Sequence, residues 1–421
     1  MAQFIEALPV SARYEAFAAK ARPFLEQVRA EAVDREAKHR LLHQEVAEAI
    51  RLGLTRLRLP EAQGGAGFDL VEFFAAVIEL GAADPNLANA LRANAGILED
   101  ALARPGLAWS QLVAAEIASG KLVGSGASEI GGATNRSYET VLRPDGGDYR
   151  LSGRKFYTTG SLYGDYLNTY ALTPEGATVT LIVPTKADGV TILDDWDGFG
   201  QQLTASGTAL LEDVVIRREW VRPTADRFPH AHGFFQLYHI ATMAGIARTI
   251  AEEATDQVIA RNRSYPGRSN AERSADDPQI QQVLGRLASV AYVTRAATLQ
   301  AARGLQDVHD RGRDEVDAER LNELSAIAEL HVSQTVTIVT DLVLEAATVL
   351  FDTLGASAAK RSHGLDRHWR NARTLASHNP RIFHDRLIGR FAATGAIPDS
   401  FGLQARPIAG PVPGRPQLVT A

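Results

Sequence analysis

The chain changes its period twice along its length, and this limits its fold more than any other feature. From Arg13 to Leu52 apolar residues recur at helical spacing, as at Phe17, Ala21, Phe24, Leu25 and Val28. Pro60, Gly64, Gly65 and Gly67 interrupt that pattern with a loop, and Asp69 is placed to cap a helix over the apolar run Leu70–Leu80. Residues 121–225 switch to short alternating segments at Tyr138–Arg143, Asp148–Ser152, Asp165–Leu172, Thr178–Val183 and Thr208–Ile216. Pro144-Asp145-Gly146-Gly147 reads as a hairpin turn between the first two. Strands in succession without helices between them predict an antiparallel sheet or small barrel. Helical spacing then returns over His232–Arg261, Asp277–Gly312, Asp317–Gly355 and Asn379–Thr394, which predicts a four-helix bundle. The expected organisation is mainly α with a central β domain. It comprises an N-terminal helical domain (1–120), a middle β domain (121–225), a C-terminal four-helix bundle (226–395) and a Pro-rich tail (396–421).

Composition removes several chemistries. No cysteine occurs, which excludes a thiolate nucleophile, a disulfide framework and Cys-ligated zinc or iron–sulfur sites. A formal charge of −6 argues against nucleic acid as a partner. The most apolar long stretch, Val332–Phe351, carries Gln334, Asp341 and Glu345, so it reads as a buried bundle helix rather than a membrane span. The first residues lack the basic-then-apolar pattern of a signal peptide, and a cytoplasmic protein is expected. No dinucleotide-binding glycine fingerprint, P-loop, zinc-protease motif or nucleophile elbow is present. His39 and His43 stand four apart in a charged segment and read as surface residues, and His230 and His232 as unremarkable loop residues.

Four stretches occur in an informative order. They are Leu59-Pro60-Glu61-Ala62-Gln63-Gly64-Gly65, Gly126-Ala127-Ser128-Glu129-Ile130-Gly131-Gly132-Ala133-Thr134-Asn135, Leu151-Ser152-Gly153-Arg154-Lys155-Phe156-Tyr157-Thr158-Thr159-Gly160 and Trp369-Arg370-Asn371-Ala372-Arg373. Together they resemble the acyl-CoA dehydrogenase superfamily over about residues 11–395. The resemblance implies that fold and a flavin. Ser128 and Thr159 would sit near the flavin N5/O4 edge, Tyr157 would cover one ring face, and Thr134 would help hold the phosphate beside Gly131 and Gly132.

A dehydrogenase of this family needs a carboxylate to take the substrate α-proton. Counting from Ala372-Arg373, the usual Glu position holds Asn379 and the residue before it is His378. The alternative position, on the first bundle helix, holds Tyr238, and no acid occurs between Ala231 and Ala251. An amide is no base at neutral pH. The string Trp369 to Pro380 and the string Asp277-Pro278-Gln279-Ile280-Gln281 instead resemble the two-component flavin monooxygenases of the dibenzothiophene monooxygenase-like branch. These accept reduced flavin from a separate reductase and, with O2, form a C4a-(hydro)peroxide that oxygenates a small molecule at sulfur, nitrogen or aromatic carbon.

On that resemblance His378 is the group that stabilises or protonates the peroxide or accepts a substrate proton, with Asn379 orienting it or touching the substrate. Thr159 and Ser161 would hydrogen-bond near C4a and N5. Asn94 stands where relatives carry a second His, and with Tyr238 it is the candidate substrate contact. Arg263 lies where the superfamily reaches a flavin phosphate, and Gly355 where FAD-binding members place a glycine pair. Asp352 stands where those members have Gln, so FMN is expected over FAD. A homotetramer assembled through the bundle is the family expectation. A dehydrogenase or oxidase with a relocated base, and a non-catalytic flavin or acyl-CoA binder, are the alternatives.

Overall fold

The computed structural model describes residues 9–130, 138–224, 227–313, 317–379, 381–398 and 405–406. Seven helices come first: α1 (Ala12–Ala30), α2 (Ala32–Ala37), α3 (His43–Arg51), α4 (Leu70–Ala83), α5 (Pro85–Ala90), α6 (Arg92–Ala103) and α7 (Ala108–Ala118). Asp69 caps α4 as its sequence suggests. Its carboxylate accepts from the Glu72 N–H at 2.8 Å while Glu72 accepts from the Asp69 N–H at 2.9 Å, a reciprocal capping box.

The middle segment forms β1 (Val123–Gly126), β2 (Val141–Asp145), β3 (Asp148–Lys155), β4 (Tyr166–Leu172), β5 (Thr178–Pro184), β6 (Val190–Ile192), β7 (Ala209–Ile216) and β8 (Val221–Pro223). They make one sheet in the order β6-β7-β3-β2-β4-β5-β8, with β1 beside β4. The sheet is mixed rather than wholly antiparallel: β1 and β2 run parallel to β4. The chain enters β1 from α7 and reaches β4 only after the β2–β3 hairpin, so β1 and β4 are not hairpin-linked and a parallel pairing is open to them. The inner face packs Leu151, Leu167, Leu181 and Val183 against Ile97, Leu98, Val113 and Ile117 of α6 and α7.

The last segment forms α8 (Ala231–Ile259), α9 (Pro278–Arg313), α10 (Ala318–Val349), α11 (Asp366–Ala376) and α12 (Ile382–Thr394). The expected final helix is thus preceded by a short fifth one, α11, whose polar, strongly amphipathic sequence hides it from a search for apolar stretches. α8 is buried on all sides from Gln236 to Ala247 and forms the axis of the molecule. It lies close against α4 because Gly81 and Gly245 meet the opposite backbone. A Cβ on Gly81 would stand 2.6 Å from the Thr242 carbonyl oxygen, and one on Gly245 2.4 Å from the Ile78 carbonyl oxygen. α10 is apolar enough over its length to resemble a membrane span, but its buried residues pack with α8 and α9 in the bundle core.

Candidate flavin and substrate site

Three strand-end features meet where the sheet faces α5 and α6. Ser128 pairs with Phe156 in an isolated bridge, so the 126–130 segment runs beside the end of β3. Tyr157 follows with φ 56°, a left-handed conformation rare for an aromatic residue. It turns the ring outward, 52% exposed and edge-on to Trp196 at 5.8 Å. The loop Thr158–Ser161 then folds inward. Thr158 N–H donates to the Gly207 carbonyl at 3.0 Å and Gly160 N–H to the Thr204 carbonyl at 2.8 Å. Gly160 has φ 81°, and a Cβ there would lie 2.3 Å from the Ala90 carbonyl oxygen, so this loop sits directly on the α5–α6 corner.

Hydroxyls connect the two sides. Thr159 Oγ1 is 2.8 Å from Ser206 Oγ, which is 2.6 Å from Thr204 Oγ1, and Thr204 donates to the Gln201 carbonyl at 2.8 Å. Gln201 Oε1 accepts from Asn89 Nδ2 at 3.0 Å, and Asn89 Oδ1 accepts from Arg92 Nε at 3.3 Å. Arg92 Nη2 reaches His378 Nε2 at 3.5 Å, the limit of a hydrogen bond. The His378 ring lies 4.4 Å from that of His239 on α8. Thr159, Arg92, His239 and His378 therefore belong to one polar cluster drawn from four segments.

Charge in this cluster is unusual. Burial lowers the Arg92 guanidinium to about 10, which leaves it cationic at neutral pH. His239 is held well below the ordinary imidazole value by burial, then by His378 and Arg92. His378 is likewise lowered, by burial first and Arg92 second. His378 itself is exposed, so the cluster meets solvent on its His378 side, while His239 behind it is buried. Both shifts favour the neutral imidazole at pH 7. With the guanidinium donating to Nε2, the His378 proton is assigned to Nδ1.

The remaining expected site residues fall as follows. Ser161 is buried and donates to the Ser125 carbonyl at 3.1 Å. Asn94 has both ends of its amide on backbone, donating to the Thr55 carbonyl at 2.8 Å and accepting from Val123 N–H at 3.2 Å. The Tyr238 hydroxyl donates to the Ala88 carbonyl at 2.9 Å. The residues of those two helices that meet His378 are instead Arg92 and His239, which the sequence reading did not single out. Asn379 is partly buried beside His378 in the turn that follows α11. Arg263 and Gly355 are exposed and share one end of the bundle, where Tyr265 would contact a Cβ on Gly355 at 3.6 Å and Arg261 donates to the Leu354 carbonyl at 2.9 Å. Thr134, with Gly131 and Gly132, lies outside the described residues.

His39 and His43 form no pair: His39 faces Asp194 at 3.1 Å, and His43 packs edge-on to Tyr163. His230 is not the ordinary loop residue expected. It is buried with Glu99 and His309, each imidazole nitrogen 3.9 Å from Glu99 Oε2. Arg58 takes both oxygens of Glu99, at 2.6 and 3.3 Å, and supplies the positive charge a metal ion would bring there.

The acyl-CoA dehydrogenase family models match at both ends of the chain, the N-terminal domain over residues 11–109 and the C-terminal domain over residues 237–381. The chain belongs to the acyl-CoA dehydrogenase superfamily. Within that superfamily it is 26% identical to a dibenzothiophene monooxygenase of Rhodococcus qingshengii over 403 residues, 90% of this chain and 94% of the relative. It is also 26% identical to a probable FMNH2-dependent monooxygenase, SfnC, of Pseudomonas putida, over 82% of this chain and 87% of the relative. The solved complex of TdsC from Paenibacillus sp. A11-2 with FMN and indole superposes with a TM-score of 0.84 at 24% identity, over 93% of this chain and all of that one.

The superfamily's flavin fits the residues present. An outward-turned aromatic ring at Tyr157, the exposed Ser128 and the buried Thr159 hydroxyl stand at one sheet edge, and two buried His239 nitrogens nearby have no hydrogen-bond partner.

Proposed function

We propose that the protein is a flavin-dependent monooxygenase that uses reduced FMN and O2 to oxygenate a small organic molecule. The observation that carries this is the chemistry of the cluster around His378. Its titratable groups are Arg92, His239 and His378, with Arg227 and Tyr238 close enough to act on Arg92, and no carboxylate meets the three among the described residues. A dehydrogenase lacks its base here, whereas a cluster of hydrogen-bond donors suits the transfer of an oxygen atom to a bound substrate. The FMN named in one relative's reaction and bound in one structural neighbour supports FMN as the flavin.

Ser128 and Thr159 would hold the flavin edge, and Tyr157 would cover one ring face. When bound, reduced flavin would supply two electrons and activate O2. One oxygen atom goes to the substrate, which supplies the other two electrons, and the second leaves as water. His378 acts as a neutral donor through Nδ1, kept in that tautomer by Arg92, and Asn379 and the Thr159–Ser206–Thr204 hydroxyls complete the polar lining. The partner that delivers reduced flavin is a separate reductase, and the assembly is a homotetramer through the bundle, with Arg263 and Gly355 at its flavin-phosphate end.

The test supplies chemically reduced FMN, 18O2 and a panel of probes: indole, dibenzothiophene and methanesulfinate. A product carrying one 18O atom is expected from at least one of them. Anaerobic bleaching of bound FMN by an acyl-CoA would refute the monooxygenase assignment and restore the dehydrogenase.

A further inference from the structure

Five arginines are buried: Arg35, Arg58, Arg92, Arg222 and Arg367. Four of them have carboxylates. Arg35 meets Glu45 at 3.0 Å and Asp84 at 2.8 Å, Arg58 meets Glu99 at 2.6 Å, Arg222 meets Asp100 and Arg367 meets Glu253. Arg92 is the exception. Its recorded partners among the described residues are neutral: Asn89 Oδ1 at 3.3 Å, His378 Nε2 at 3.5 Å and the face of Phe235 at 5.5 Å. Beyond His378 lies His239, 4% exposed, with neither ring nitrogen hydrogen-bonded.

A cation removed from water costs several kcal/mol unless an anion meets it. This chain meets that cost internally at four of five positions, so the fifth marks a place kept for an anion from outside. We propose that Arg92 is the anchor for an acidic group on the substrate, which is a small organic acid bearing a carboxylate, sulfinate or sulfonate. The guanidinium fork matches two oxygens of such a group. His239 and His378 offer N–H groups to what remains, and Phe235 gives an apolar wall for the carbon skeleton. Neutral imidazoles leave the charge to the arginines, Arg92 and, over the same Phe235 ring at 4.9 Å, Arg227, so the cluster favours an anion. The oxygenation of that acid rests on the function proposed above, but its binding does not.

The test is therefore made on flavin-free protein by calorimetry. Acetate, methanesulfinate and benzenesulfinate are compared with neutral counterparts: acetamide, dimethyl sulfone and methyl phenyl sulfone. At least one acid should bind about tenfold or more tightly than its counterpart, the difference a charge-assisted hydrogen bond makes. Arg92→Met should abolish that preference and Arg92→Lys should keep part of it. Absence of any preference, or a preference that survives Arg92→Met, overturns the proposal.

So does a selective loss of FMN over riboflavin binding in Arg92→Met, which would assign the guanidinium to the flavin phosphate. Because Arg92 has no internal anion to strand, Arg92→Met should fold about as stably as the parent. Should that variant not fold, Arg92→Gln and Arg92→Lys carry the same comparison. Failure of 18O incorporation with anion preference intact would overturn the reaction and leave this site standing.

Discussion

Gly160 joins the β domain to the helices that carry Arg92, and substituting it separates strain from contact. In Gly160→Ala the residue keeps φ 81°, which disfavours a Cβ by about 1–2 kcal/mol. The new methyl also stands 2.3 Å from the Ala90 carbonyl oxygen, where real Cβ atoms stay beyond about 3.0 Å, so the loop must back away from the α5–α6 corner. Overpacking of this kind adds about 1–3 kcal/mol. Gly176 is a matched control: it has the same φ of 81° and nothing within 4 Å of an added Cβ. In urea unfolding followed by circular dichroism, Gly176→Ala should lose about 1–2 kcal/mol and Gly160→Ala distinctly more. Only Gly160→Ala should also weaken FMN binding, because Thr159 and Ser161 move with the loop. Equal losses in the two variants, with FMN affinity unchanged in both, would show that the loop does not bear on the helices as described.

His378→Ala should reduce oxygenated product by about a hundredfold or more while the FMN dissociation constant stays near the parent value; unchanged turnover removes His378 from the reaction. Arg35→Met strands Asp84 in the interior and leaves Glu45 with Arg40 alone, and should cost about 3–5 kcal/mol in denaturant unfolding. Asp69→Ala removes half of the capping box of α4 and should cost about 1 kcal/mol. Burial first, against a smaller opposing pull from Glu99, depresses the folded His230 imidazole from 6.5 to about 3. Between those values the unfolded chain binds a proton that the folded one refuses, so its contribution to stability is complete above pH 6.5 and is lost as pH falls towards 3. His230→Leu should make the stability–pH slope between pH 6 and 4 shallower by about 1.4 kcal/mol per unit; an unchanged slope would mean that His230 is protonated in the fold.

Periodicity carried most of the architecture. The two helical regions, five of the eight strands of the large sheet, the hairpin at Gly146-Gly147 and the Asp69 cap all rest on local patterns, and local patterns are what a sequence displays. β1, β6 and β8 escaped because each is short: β1 and β8 add edge or parallel pairings, and β6 spans only Val190–Ile192. The burial of His230 was equally hidden. It follows from Glu99, Arg58 and His309 converging from three distant segments, and no spacing within any one of them signals it.

The site shows the same limit in a sharper form, because it turns on helical phase. An α-helix rotates about 100° per residue, so a shift of one position exchanges one face for another. Tyr238 and His239 are neighbours, yet the first sends its hydroxyl to Ala88 and the second sets its ring on His378. Asn94 and Arg92 are two apart, about 200° around the helix; the amide goes to Thr55 and Val123 and the guanidinium to His378. Matching motifs by their small residues fixes where a helix lies along its axis and leaves its rotation loose. The rotation of α8 is set by the Gly81 and Gly245 contacts with α4, and the approach of the β-domain loop by Gly160 on Ala90. A visible clue did exist. Arg92, at the start of α6, and His239, within α8, are ionisable residues in fully buried helix segments, without an acid one turn away to pair with either. A charge kept in such a place without a partner points to a ligand, and that argument identifies the face of the helix more surely than position in a motif does.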